Sequence, residues 1–200
     1  MTAPGRRRLR LHGFEPASAA NGPGTRAVIW VQGCTLACPG CFNPETHARA
    51  GVGDRGAGEA GEVEVAELYE RVAGLADRIE GVTVTGGEPL QQRGAVLDLL
   101  RRIRTGTGLS TVLFTGYDWP EVRRMRELDE LRRCVDVLLA GRYRQDLRVA
   151  SGLRGSSDKS VQLFSDRYTH ADLDAVPEAE AIVHPDGRVT LTGIDPPAGW

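Results

Sequence analysis

Apolar residues recur along this chain in two rhythms. Residues 27–32 (AVIWVQ) form a short apolar, β-branched run that stops at Gly33, the mark of a buried strand. Between 64 and 79, Val65, Leu68, Val72, Leu75 and Ile79 fall at helical spacing and give one apolar face. Residues 82–85 predict a second strand ending in Gly86-Gly87, and Val96, Leu97, Leu100 and Ile103 line one side of a second helix. A third strand spans 111–115 and stops at Gly116. A third helix is predicted from about Pro120, a favoured first-turn residue, to about Arg133. A fourth strand is predicted over 134–139, ahead of Gly141. The tail reads as a β-hairpin, 181–184 and 188–192, around a Pro-Asp-Gly turn.

Strands alternating with helices in short units predict βαβ crossovers and a mostly parallel sheet. Ligands of such sheets sit at the carboxyl ends of the strands. Gly33, Gly86, Gly116 and Gly141 all mark such ends, so they and the residues just after them should gather on one edge. The glycine-rich stretch 51–62 follows no strand and lacks phosphate-loop spacing, so it reads as a surface loop. No internal repeat or linker divides the 200 residues, which predicts a single domain over 1–200.

Composition narrows the partners. A formal net charge of -2 gives no reason to expect nucleic acid or an anionic membrane, and no stretch has the ~20 apolar residues of a membrane span. The basic run Arg6, Arg7, Arg8 and Arg10 reads as a solvated chain end, with a contact surface as the alternative. No apolar segment follows it early enough for a secretory signal, so the expected location is cytoplasmic.

Cysteine placement changes the picture most. Cys34, Cys38 and Cys41 crowd into eight residues as C-x-x-x-C-x-x-C, while Cys134 opens a distant apolar run and reads as a buried small hydrophobe. A disulfide scaffold spreads its cysteines, and structural zinc wants four ligands, usually two C-x-x-C pairs or added histidines. Three thiolates on an iron–sulfur cubane leave one iron open to a ligand, an arrangement suited to chemistry. An open-site cluster, a zinc site and inert or disulfide-bonded thiols all stay open on spacing alone. His47, six residues past Cys41, could face such a site; His12, His170 and His184 lack partners at ligand spacing, and Trp30 reads as core.

The stretch from Asn21 to Asn43, NGPGTRAVIWVQGCTLACPGCFN, resembles the entry segment of the radical S-adenosylmethionine (SAM) superfamily. Within it, the chain is similar to the activating proteins of anaerobic ribonucleoside-triphosphate reductase, and more distantly to pyruvate formate-lyase activating enzyme. Further matches follow in order: Thr85-Gly86-Gly87-Glu88-Pro89, Thr115-Gly116-Tyr117, the 135–139 strand with Gly141, and Arg154-Gly155-Ser156-Ser157. The resemblance covers about residues 21–160 and leaves 161–200 as a C-terminal extension.

The resemblance implies an incomplete, open (βα) barrel too short for the full eight units. It implies a [4Fe–4S] cluster on Cys34, Cys38 and Cys41, with SAM at the fourth iron. Gly86, Gly87, Glu88, Pro89, Thr115, Tyr117 and Asn43 are the implied cofactor contacts, Glu88 meeting the SAM ammonium; for Tyr117, packing is the alternative. Reductive cleavage of SAM to a 5′-deoxyadenosyl radical is the implied activity, with a flavodoxin- or ferredoxin-type electron donor and a glycyl-radical enzyme as protein substrate. A radical SAM enzyme acting on a small molecule or peptide, and a non-catalytic iron–sulfur protein, are the alternatives. Two departures from the reductase activators bear on the target: Ala140-Gly141 stands for Asp-Gly, and Asp158-Lys159 for Asn-Gln.

Overall fold

The computed structural model describes residues 7–48 and 61–194. The chain enters on β1 (Arg8–Ser18), returns on β2 (Arg26–Val31), and passes through the cysteine loop to β3 (Gly61–Glu64) and α1 (Val65–Ala73). Two units follow: β4 (Gly81–Gly86) with α2 (Arg93–Gly106), then β5 (Ser110–Thr115) with the short helices α3 (Trp119–Val122) and α4 (Leu128–Cys134). After β6 (Val137–Ala140) come β7 (Arg148–Ser151), β8 (Arg154–Ser156), β9 (Ser160–Leu163) and α5 (His170–Asp174). The hairpin β10 (Ala179–Val183) and β11 (Val189–Gly193) ends the described chain.

Seven strands form one open sheet in the order β3-β1-β2-β4-β5-β6-β9, while β7-β8 and β10-β11 are separate ribbons. The centre, β2-β4-β5-β6, is parallel; β1 and β9 flank it antiparallel. This is the expected α/β sheet with a C-terminal hairpin. Its central strands read as continuous apolar runs because both faces are covered. Successive residues show it: Leu113 and Leu138 face the main core with α1, α2 and α4, while Val112, Val137 and Leu139 face a smaller cluster with Leu153 and Leu173. Among the described residues, no helix is long and apolar enough to cross a membrane.

Several boundaries differ from the sequence expectation. Helix α1 stops at Ala73 because Gly74 follows it, with the Gly74 amide closing on the Glu70 carbonyl at 2.9 Å; Ile79 is buried from the turn beyond. The predicted third helix is two pieces. Its apolar residues Val122, Met125, Leu128 and Leu131 sit three apart, a spacing that drifts around an α-helix but suits tighter winding. Amides 124 and 125 accordingly bond three residues back, to Glu121 and Val122. Cys134 belongs to the end of α4 rather than to the fourth strand, whose start is delayed by Asp136, a buried carboxylate accepting the Thr111 amide at 2.8 Å.

The basic N-terminus holds the largest correction. From Arg8 it forms β1, with Leu9 and Leu11 fully buried, so only alternate residues are solvated. Arg6 lies outside the described residues, as does the predicted 51–62 loop except for Gly61 and Glu62, which open β3 instead. Trp30 is half-buried and lines a cavity, not the core.

Candidate functional site

The parallel strands β2, β4, β5 and β6 end in Gly33, Gly86-Gly87, Gly116 and Gly141, and the expected convergence is present. Gly86, Gly87, Gly116 and Gly141 line one cavity of about 80 Å³ together with Cys34, Cys38 and Cys41. The cysteine loop that reaches it is tied down by backbone bonds. The amide of Gly33 donates to Thr46 at 2.7 Å and that of Cys34 to His47 at 3.2 Å, so the loop leaves β2 and returns against itself. Ala37 and Gly40 turn through positive φ of 48° and 69°. Gln91, in the turn after β4, clasps Thr35 with two side-chain bonds.

All three thiols are half-buried and free of disulfides. Burial pushes the Cys34 and Cys41 thiols up, against the backbone amides of Leu36 and Ala37 at Cys34 and of Asn43 at Cys41, which favour thiolate. Among the described residues, no three Cys, His, Asp or Glu side chains converge closely enough to hold a single metal ion. Thiols spread around a cavity suit a multi-iron cluster, in which each thiolate takes a different iron.

The Gly86-Gly87-Glu88 turn has a different basis from the one its sequence implies. A Cβ on Gly86 would stand 2.7 Å from the Val31 nitrogen, and one on Gly87 2.6 Å from the Gly33 oxygen. Gly86 also adopts a φ of 99°, which side chains disfavour. The bare backbone is therefore needed first for contact with β2, through bonds from Gly87 to Val31 and from Glu88 to Gly33. The Glu88 side chain is 1% exposed. One oxygen accepts the Leu90 amide and the Thr115 hydroxyl, both at 2.8 Å; the other accepts the Gly116 amide at 2.7 Å. Desolvation raises its pKa in spite of these donors. A carboxylate has about four acceptor sites, so one is left for a ligand in the cavity.

Not every expected residue arrives at this site. Thr85, Thr115, Asn43 and His47 line the cavity. Pro89 is buried and opens the 3₁₀ turn after Glu88 without lining it. The Tyr117 ring packs on the main core, with the Arg142 guanidinium 6.0 Å from its centre, and is not among the lining residues. Arg154-Gly155-Ser156-Ser157 forms the β8 ribbon, and its neighbours Leu153 and Lys159 reach the cavity instead.

A second cavity of about 210 Å³ shares Phe42, Asn43, Thr85, Phe114, Leu153 and Ile194 with the first. Its far wall is the C-terminal hairpin, including Thr190 and Thr192, and it holds the buried Glu15, whose carboxyl is raised by burial. Docking of the hairpin is specific. Glu180 accepts the Ala19 amide at 3.0 Å and the Ser18 hydroxyl, and Asn21 donates to Thr192 at 2.9 Å. Sequence reasoning missed this wall, because the contacts join positions about 160 residues apart.

A family model described as a 4Fe-4S single cluster domain matches residues 20–162. The anaerobic ribonucleoside-triphosphate reductase-activating protein of Salmonella typhimurium is 32% identical over 163 residues, covering 76% of this chain and 97% of that one. The protein of the same description from Escherichia coli K12 is 31% identical, with the same coverage, and that of Enterobacteria phage T4 is 29% identical over 73% of this chain and 88% of its own. The family match ends before β10-β11, so the hairpin wall of the larger cavity lies outside it.

Proposed function

Because the chain belongs to the 4Fe-4S single cluster domain family, alongside the anaerobic ribonucleoside-triphosphate reductase-activating proteins, we propose that it is a radical SAM enzyme that activates a glycyl-radical enzyme such as anaerobic ribonucleotide reductase. The observation that carries this reading is one cavity at the carboxyl edge of a parallel sheet, lined by three free thiols and by the Gly86-Gly87-Glu88 turn.

Cys34, Cys38 and Cys41 hold the [4Fe–4S] cluster. When bound, the cluster supplies the electron that cleaves SAM reductively, leaving methionine and a radical that takes a hydrogen atom from the substrate. The protein's share is positioning and shielding. Glu88 takes the SAM ammonium on its remaining acceptor site while its other bonds lock the turn to β5. Gly86 and Gly87 bring backbone to the edge of the cavity, and Asn43 and Thr85, which border both cavities, would contact SAM there. Phe42, stacked edge-on against Tyr143 with centroids 5.2 Å apart, closes the outer side. A flavodoxin- or ferredoxin-type protein supplies the electron. The open sheet leaves room for a loop of a protein substrate rather than enclosing a small one.

The test is 5′-deoxyadenosine formation by anaerobically reconstituted, reduced protein given SAM. Product from the wild type and none from Cys38→Ala is the expected result. A wild type that holds a full cluster and binds SAM, yet forms no product even with its glycyl-radical partner present, overturns the proposal.

A further inference from the structure

The cysteine loop has two sides. Phe42 and Asn43 border the two cavities. Thr35, Ala37, Pro39 and Gly40 border neither and are exposed, although they are chain neighbours of the thiols. Gln91 clasps Thr35, so the start of α2 stands beside this outer side. Gln92, the next residue, accepts the Arg10 amide at 2.8 Å and donates to the Gln32 carbonyl at 3.0 Å, which draws the entry of β1 against the same loop.

Arginines gather there. A Cβ on Gly33, just before Cys34, would stand 3.3 Å from the Arg10 guanidinium, whose buried Nε has no hydrogen-bond partner. Arg7 covers the first turn of α2, where a Cβ on Gly94 would stand 2.7 Å from its guanidinium. Among the described residues, neither Arg7 nor Arg10 has a carboxylate partner. Arg7 also lines a groove of about 220 Å³ with Arg93, Arg101 and Arg126. The carboxylates of that groove, Asp98, Glu127 and Glu130, are already paired with Arg93, Arg101 or Arg126. Cations are therefore in excess on this side of a chain whose formal net charge is -2. The positive end of the α2 dipole adds to their field, so Arg7 and Arg93 stand where the helix alone would favour acids.

Electron transfer weakens steeply with distance, so a protein donor must dock where the thiols come close to the surface. A positive surface there steers an acidic protein in and turns a basic one away. We propose that this outer side of the cysteine loop, bordered by Arg7, Arg10 and Arg93, is the docking surface for an acidic one-electron carrier protein; this rests on the radical SAM reading above. One electron passes from the reduced carrier to the cluster, leaving the carrier oxidised by one electron and the cluster reduced by one. Donor and protein substrate thus use different sides of the same loop.

The test uses reconstituted full-length protein at matched iron and sulfide content, with an acidic flavodoxin as the probe. The wild type, Arg7→Glu, Arg10→Gln and the double variant Arg7→Glu/Arg93→Gln are compared with Arg132→Glu, a charge reversal at an exposed position at the far end of α4. Affinity is titrated with oxidised flavodoxin, and cluster reduction is timed with reduced flavodoxin and with photoreduced deazaflavin, a small reductant that needs no docking surface. At low ionic strength the double variant should bind flavodoxin and accept its electron about tenfold less well, and the single variants should lose less. High salt should erase the difference. Deazaflavin should reduce every variant at the wild-type rate, and Arg132→Glu should behave as the wild type with both reductants. Equal flavodoxin affinity and rate in wild type and double variant, the same loss in Arg132→Glu, or an equal loss with deazaflavin overturns the proposal. A wild type reduced by flavodoxin that never cleaves SAM, even with its glycyl-radical partner present, overturns the radical SAM reading and leaves the docking surface standing. If Arg10→Gln does not assemble its cluster, the variants at Arg7 and Arg93 carry the same comparison.

Discussion

Two buried charges stand at opposite ends of the parallel strands, and they are used in opposite ways. Arg26, at the start of β2, is 0% exposed, yet among the described residues its guanidinium meets no carboxylate directly. It donates to Thr83, Pro23, Val82, Tyr168 and both oxygens of Ser110 at 2.9–3.2 Å, tying the 21–25 turn, β4, β5 and the segment before α5 together. Burial lowers its pKa, which the neighbouring Tyr168 hydroxyl and the more distant Asp136 and Glu80 offset only in part. Glu88, at the far end of β4, shares its bonds with β5 but keeps acceptor capacity beside a cavity lined by thiols and Lys159. A buried charge whose hydrogen bonds are spent on the chain fixes structure; one with capacity left beside a cavity can receive a ligand. Both lie in stretches on which the family resemblance was read, Asn21 to Asn43 and Thr85 to Pro89, so motif membership alone does not separate the two roles.

The contrast can be broken in four ways. The largest effect belongs to the cavity end: Cys38→Ala should abolish the cluster, read as iron and sulfide content and visible absorbance, while far-UV circular dichroism stays that of the wild type. A variant that retained a full cluster would remove Cys38 from the ligand set. Next, Arg26→Met should lower stability by about 3 kcal/mol in denaturant unfolding, because it strands several buried acceptors at once. Wherever the variant remains folded it should still take up its cluster; normal stability with lost cluster uptake would place Arg26 among the functional residues.

Glu88→Gln should cost about 1–2 kcal/mol, since its new amide donor meets the Gly116 amide donor. It should also alter the pH dependence of the cluster-free protein. The folded pKa of Glu88 is raised above its unfolded value, so between the two values the native state binds more protons than the unfolded one. Stability therefore falls as pH rises from the ordinary glutamate range through the raised value, and Glu88→Gln should flatten that fall. Melting temperatures across pH test this, and an unchanged slope would refute it. The smallest effect is expected for Cys134→Ala: a loss of about 1 kcal/mol or less from a buried position in the core, with iron content unaffected. Iron lost from that variant would mean a fourth cysteine ligand.

Much of the site was legible because the chemistry is local in sequence. Three cysteines within eight residues, and Gly86-Gly87-Glu88 directly after an apolar strand, announce themselves through spacing, and the parallel sheet brings their strand ends together. Strand β1 was also legible, since Leu9, Leu11 and Gly13 alternate with polar residues, but attention to its arginines hid the period of two. Lys159 stood out only as a departure from the pattern that the family resemblance implies, with no indication of where its ammonium went. Tyr117 shows the reverse: it lies in a matching motif at a strand end, yet its ring turns to the core.

By itself, the sequence determined the four parallel strands with the helices between them, the C-terminal hairpin, the thiol triad and the family, because hydrophobic period and close spacing are set by neighbours along the chain. Only the tertiary structure decided that Gly86 and Gly87 are bare to accommodate β2, that Arg26 is spent internally, and that the pairing of β9 with β6 places Lys159, just before β9, in the thiol-lined cavity. It also decided that the hairpin, docked through Glu180 and Thr192, walls the larger cavity. Those outcomes depend on which distant groups find hydrogen-bond partners when water is excluded, and pairings of that kind leave no period in a sequence.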